Sequence, residues 1–279
     1  MIVCYAPGGG LGHLTRIRAY LHTVHGDEPA TILTGSPFAA DPRVLGPHRV
    51  LPVAALPSLR PSELVVDAFP AGIDGELRSL PRGARTVHLA RLLRWDAYAA
   101  LLPSVPIRFD QTWILEDLRP AHAAHLARTS AACGPLHLTD PPDLVDPPYL
   151  IDQLSDSAHP QAVWLVAHSG PDPEIHELLA YARECASLEG CRPRLLVAAP
   201  HRPAGLPDDV EHTDRYPVWP LFADVERIVT AAGFNVVRQL APWRAKHRML
   251  PFPRRWDDQF TRAARARLAG SPAPTATTA

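Results

Sequence analysis

The sequence predicts an α/β protein built as two lobes, each a parallel sheet flanked by helices. Three observations carry this reading. Short apolar runs alternate with amphipathic segments in both halves of the chain, the signature of βα units. A single proline-rich stretch at residues 139–148 separates the two series. The length of 279 residues, set against about 150 residues per domain, leaves room for two compact lobes and little more.

In the first half, residues 2–6 read as a buried strand and residues 12–24 as a helix. Further strands are expected at residues 31–33, 64–66, 86–89 and 112–115. Residues 120–132 are alanine-rich and read as a helix that starts on Pro120, where the missing N–H costs little. The run Thr-Asp-Pro-Pro-Asp-Leu-Val-Asp-Pro-Pro then removes donors and forces extended backbone. It divides a lobe at 1–140 from a second at 149–270. In the second lobe the expected order is strand 162–167, helix 173–187 opened by Asp172, and strand 194–198. A helix near 221–226, strand 227–230, helix near 235–240 and a last helix near 257–269 follow. Residues 271–279 are small, polar and poor in apolar side chains, and are expected to be disordered.

Composition narrows the function classes. With 46% hydrophobic and 20% charged residues the chain is globular, and a net charge of −1 offers no basic surface for nucleic acid. Lys246 is the single lysine among 28 basic residues, and prolines number 32. Such a bias follows from GC-rich coding, so arginines count only where they are placed. Cys4, Cys133, Cys185 and Cys191 show no CxxC spacing, and the first residues enter a strand directly. A reduced, cytoplasmic protein is expected. No apolar run approaches the roughly 20 residues of a membrane helix.

Two such lobes imply a central crevice, and in open parallel sheets ligands sit beyond the carboxyl ends of the strands. The first strand leads into Pro7-Gly8-Gly9-Gly10-Leu11-Gly12-His13. Glycines admit a ligand close to the backbone, and a helix N-terminus offers unpaired N–H groups. The loop fails the dinucleotide fingerprint, because His13 stands at its last glycine position, and it lacks the lysine of a P-loop. His13, at the positive end of a helix, is favoured as a neutral imidazole and so as a base. The strand Leu64-Val65-Val66-Asp67 supplies a carboxylate on the same sheet edge, able to fix the imidazole tautomer. Either residue alone would equally serve as a cap or turn residue.

In the second half, Thr230-Ala231-Ala232-Gly233-Phe234-Asn235 is followed by Arg238-Gln239, and later by Asp257-Asp258-Gln259. A strand, a glycine at a helix start and a polar pair on a later loop would gather phosphate donors and hydroxyl acceptors around one ligand.

These motifs resemble the GT-B glycosyltransferases, particularly the bacterial peptidoglycan N-acetylglucosaminyltransferase and the plant and macrolide UDP-sugar-dependent enzymes. The likeness covers residues 2–266 with gaps in the middle. It rests on the loop Gly9 to His13, the strand end at Asp67, the helix start at Gly233 and Asn235, and the pair Asp258 and Gln259. The resemblance implies two Rossmann-like lobes and a nucleotide-sugar co-substrate, UDP-linked, with no cofactor and no metal. His13 oriented by Asp67 would deprotonate an acceptor hydroxyl for inverting attack. Gly10 and Gly12, the Ser169-Gly170 loop, Tyr216, Gly233, Phe234, Asn235, Gln239, Asp258 and Gln259 would contact the donor. Backbone donors would take up the charge on the leaving diphosphate. Gln239 stands where the family carries a ribose-binding acid, and Ala231 and Val236 where the plant pattern has His and Ser. These departures thin the donor site.

Arg91, Arg94 and Glu116 follow first-lobe strands and are expected on the acceptor side, beside Trp95. His122 and His125 have helical spacing but no third ligand, so no metal site is expected. The acceptor would be a small molecule or an envelope component. Alternatives are a UDP-sugar epimerase or hydrolase on the same fold, and a non-catalytic nucleotide-sugar binder, with a protein partner.

Overall fold

The structure is a computed structural model that describes residues 1–142 and 162–270. The latter part of the proline-rich boundary, the start of the second lobe at residue 149 and the tail 271–279 lie outside the described residues. Two compact units are present, one of Met1–Leu144 with Arg255–Asp257, the other of Val145–Arg254 with Asp258–Ala279.

The first unit holds seven parallel strands: β1 (Ile2–Tyr5), β2 (Thr31–Leu33), β3 (Arg49–Leu51), β4 (Glu63–Asp67), β5 (Arg85–Ala90), β6 (Phe109–Ile114) and β7 (Ser130–Pro135). Their order is β3-β2-β1-β4-β5-β6-β7. The chain moves outward from β1 in one direction and then restarts at β4 on the other side. β1 and β4 are therefore neighbours at the reversal, with Tyr5 level with Val66. Both are buried along their whole length, which is why they read as unbroken apolar runs rather than alternating ones. Val3, Tyr5, Leu33, Leu64, Val66 and Phe109 share one core cluster.

Helices α1 (Leu11–His25), α2 (Pro42–Leu45), α3 (Trp95–Tyr98) and α4 (Pro120–Thr129) connect the strands. α1 ends on Gly26 in the left-handed conformation, whose N–H bonds to the carbonyl of Leu21. α4 is shorter than the alanine content suggests. Its expected last turn becomes β7, because β6 offers an open edge, and Thr112 and Ser130 join it through their hydroxyls at 2.6 Å. Tertiary pairing overrides helix propensity there.

The second unit has five parallel strands: β8 (Val163–Ala167), β9 (Arg194–Ala198), β10 (Val210–Thr213), β11 (Arg227–Thr230) and β12 (His247–Met249). The order β10-β9-β8-β11-β12 places a second reversal between β8 and β11. Trp164 and Val166 face a core with Ile175, Leu178, Val197 and Val229. Leu165 and Ala167 face the opposite core with Leu196, Phe222, Ile228 and Leu240. Helices α5 (Asp172–Leu188), α6 (Phe234–Gln239) and α7 (Gln259–Gly270) belong to this unit.

Three expectations are corrected here. The helix near 221–226 is a short 3-10 turn, Trp219–Phe222. α5 takes Asp172 as its first helical residue, with Pro171 at the N-cap, and the Asp172 carboxylate accepts from the Ala204 N–H at 2.9 Å instead of capping the helix. α7 begins two residues late, because Asp257 bridges to Leu93 in the first unit. Among the described residues no helix is long and apolar enough to cross a membrane. All four cysteines are free.

Candidate functional site

The carboxyl ends of β1 and β4 bring three side chains together. His13, in the first turn of α1, meets Asp67, the last residue of β4, with Nδ1 2.5 Å from Oδ2. Arg16, one turn further along α1, donates from Nε to Oδ1 at 2.6 Å and from Nη2 to Oδ2 at 2.7 Å. This two-point fork is the strong form of an arginine–carboxylate pair. Arg16 and Asp67 are both buried, while the His13 side chain keeps 13% of its surface exposed. With the carboxylate on Nδ1, that nitrogen carries the ring proton and Nε2 is left with a lone pair.

The glycine loop makes room for the ring. A Cβ on Gly8 would lie 2.1 Å from Cδ2 and Nε2 of His13, so no other residue fits there without moving the imidazole. A Cβ on Gly9 or Gly10 would meet nothing within 4 Å. The loop is pinned by Ser36, whose hydroxyl donates to the Gly9 carbonyl at 3.0 Å. After Asp67 the chain turns sharply: Ala68 has a φ of 63°, and the Phe69 N–H reaches back to the Asp67 carbonyl at 2.7 Å. Left-handed backbone at a non-glycine residue is strained and concentrates at functional sites. The turn sets the Phe69 ring 5.7 Å from that of His13.

Burial pushes the His13 imidazole below its ordinary range and outweighs the pull of Asp67 in the other direction; Arg16 and Arg91 add to the depression. For Asp67, burial acts upward, but Arg16 and then His13 overcome it and hold the carboxyl well below the usual carboxylate range. The outcome is an ionised, buried carboxylate beside a neutral imidazole with one unprotonated nitrogen, an arrangement that can accept a proton.

The expected acceptor-side residues are placed differently from one another. Arg91 is buried, forms an ion pair with Asp257 and lies 5.4 Å over the Phe69 ring. Arg94 is exposed, and its N–H donates to the Trp256 carbonyl at 2.7 Å. Glu116 accepts from the Leu92 N–H at 2.8 Å. Trp95 packs in the core and stacks on His122 with ring centres 3.9 Å apart. His125 lies tilted against the same indole at 5.1 Å. No group of three or more metal-ligating side chains occurs among the described residues.

At the second reversal, β11 runs into small residues and β8 into a polar loop. Ala231 and Ala232 are buried, and Gly233 caps α6 ahead of Phe234 and Asn235, with Gln239 as the last helical residue. Beside them, His168-Ser169-Gly170 follows β8. His168 Nε2 is 2.7 Å from Glu174, which Arg254 grips through two N–H groups at 2.5 Å each. A Cβ on Gly170 would stand 2.3 Å from the His168 ring. Tyr216 precedes a cis peptide bond to Pro217.

Asp258 and Gln259 have structural bonds. Asp258 accepts from the Thr261 N–H at 3.1 Å and from its hydroxyl at 2.9 Å, the pattern of a helix N-cap. Gln259 accepts from the Phe252 N–H at 3.0 Å. Sequence reasoning missed Arg16 and the His168–Glu174–Arg254 group. Arg16 had a usable signal, its i+3 spacing from His13 on one helix.

No protein-family model matches the chain, and no curated protein does. Solved structures do. The spinosyn rhamnosyltransferase SpnG is 15% identical, with 96% of this chain and 84% of that chain covered and a TM-score of 0.58. The glycotransferase of kitacinnamycin is 13% identical, with 97% and 90% covered and a TM-score of 0.54. The glycosyltransferase SnogD from Streptomyces nogalater is 14% identical, with 90% and 82% covered and a TM-score of 0.51. At such identities what is shared is architecture, and the architecture of this chain is the GT-B glycosyltransferase fold.

Proposed function

We propose that the protein is a glycosyltransferase that moves a sugar from a nucleotide diphosphate donor, UDP-linked, to an acceptor hydroxyl with inversion at the anomeric carbon. The observation that supports this best is the His13–Asp67 pair at the β1/β4 reversal, with Nδ1 held at 2.5 Å and Nε2 left as the accepting atom. The acceptor O–H would pass its proton to Nε2 while its oxygen bonds to the anomeric carbon. The bond from that carbon to the diphosphate breaks, and the diphosphate leaves with the electron pair. Asp67 would hold the ring in its Nδ1–H tautomer, with Nε2 turned to the acceptor. On the donor side, backbone N–H groups near Ser169, Gly170 and Gly233 would receive the developing charge, so the mechanism invokes no metal. Tyr216 would contact the nucleotide base and Gln239 the ribose, a weaker contact than a carboxylate makes. The acceptor is a small molecule or an envelope component met in the cytoplasm.

Isothermal titration with UDP and other nucleoside diphosphates, then donor turnover with and without acceptors, tests the reading. Sub-millimolar binding and acceptor-dependent turnover are expected. Donor cleavage that no acceptor accelerates would move the assignment to a hydrolase. Absence of binding by every nucleoside diphosphate would remove it.

A further inference from the structure

His13 does not face Asp67 alone. Around its ring stand Asp67 from the end of β4, Arg16 from α1, and the segment after β5 with Arg91, whose charge is balanced by Asp257. Phe69 contributes an apolar ring and the glycine loop no charge. Arg16 is the unusual member. Its Nη2 comes within 3.3 Å of His13 Nδ1 while both of its bonded nitrogens occupy the two oxygens of Asp67.

We propose that Arg16 is a positioning residue that neutralises Asp67, so that the carboxylate orients His13 without making it a strong base. The charge count gives the reason. If Asp67 faced His13 alone, protonating the ring would turn a buried negative charge into a neutral pair, which burial favours. With Arg16 in place, the carboxylate is already neutralised, and protonating His13 creates a net positive charge in the same buried space. The imidazole is thereby kept uncharged and ready to accept a proton, and its tautomer is still fixed by the bond to Oδ2. The fork also holds the carboxylate in one orientation, which a single ammonium would not do.

This inference rests on His13 being the base of the proposed transfer, but its main readout does not need turnover. Proton titration of the His13 ring by nitrogen-15 NMR in the full chain should give a midpoint below the ordinary 6.5. Arg16→Met should raise that midpoint by about one unit or more, and the acid limb of kcat/KM should move upward with it. Arg16→Lys keeps the cation, so its midpoint should stay near the wild type while kcat falls. A wild-type midpoint at or above 6.5, an unmoved midpoint in Arg16→Met, or an equal rise in Arg16→Lys would each overturn the proposal. Should Arg16→Met fail to fold by far-UV circular dichroism, the wild-type and Arg16→Lys titrations decide. If no donor is turned over at all, the transferase reading fails while the titrations still judge Arg16.

Discussion

The two topological reversals of this protein hold their histidines differently. At β1/β4 three ionisable side chains converge within 2.5–2.7 Å, buried and mutually bonded. At β8/β11 the chain leaves β11 through Ala231, Ala232 and Gly233 and leaves β8 through His168, whose Nε2 lies 2.7 Å from a Glu174 that Arg254 grips, while Asp258 and Gln259 are engaged in capping and loop bonds. Both reversals thus carry a histidine–carboxylate–arginine group, but the carboxylate holds the imidazole through Nδ1 in the first unit and through Nε2 in the second. In the proposed transfer the first would accept the acceptor's proton, and backbone beside the second would receive the leaving diphosphate. Substitution should therefore damage rate in the first unit and stability or affinity in the second.

The largest effect is expected from His13→Ala, which should lower transfer by roughly 10²–10⁴-fold while leaving UDP binding by calorimetry nearly intact. An unchanged rate would remove His13 from the mechanism. Next comes Gly8→Ala. Its Cβ would collide with the imidazole 2.1 Å away, and a displacement of about 1 Å costs on the order of 10²-fold in kcat. Gly9→Ala, with open space around its Cβ, should retain near-normal kcat, and equal losses in the two variants would refute the steric account.

Acid should weaken both units together. His88 is depressed to about 4 and His122 to about 3 in the first unit, and His247 to about 3 in the second, each chiefly by burial. Because these rings are neutral in the fold, the unfolded chain binds protons first as pH falls below about 6.5. Stability is then lost from about pH 6.5 down to about pH 4 for His88 and about pH 3 for the others, on the order of 1–2 kcal/mol for each ring at pH 5. Thermal melts at pH 7 and pH 5 would show a lower Tm at pH 5; an equal or higher one contradicts the sign. The smallest effect is Asp258→Ala, which removes the cap of α7 and should cost about 1 kcal/mol. A variant with unaltered Tm but weakened donor binding would instead make Asp258 a ligand contact and narrow the contrast between the units.

Central elements were legible because burial on both faces writes a local signature. Ile2-Val3-Cys4-Tyr5 and Leu64-Val65-Val66 are continuous apolar runs, and each ends at the edge where His13 and Asp67 meet. His13 and Asp67 could be paired in advance because parallel βα order places the ends of β1 and β4 on one edge. Edge strands were not legible. Arg49–Leu51 and Ser130–Pro135 are short and partly exposed, and they exist because a neighbouring strand offers unpaired N–H and C=O groups, which no local pattern records.

The sequence by itself determined the α/β class, the central strands, the glycine loop and the identity of the two residues that meet in it. Those follow from hydrophobic burial and chain direction, which are local properties. Only the tertiary structure decided that Arg16 occupies both oxygens of a carboxylate 51 residues away, that Gly8 is the glycine the His13 ring requires, and that Asp258 caps a helix. It also decided that Arg255–Asp257 pack with the first unit, where Arg255 pairs with Asp74 at 2.5 Å. Such contacts depend on side-chain direction and distance between segments remote along the chain, and these quantities exist only once the sheets are formed.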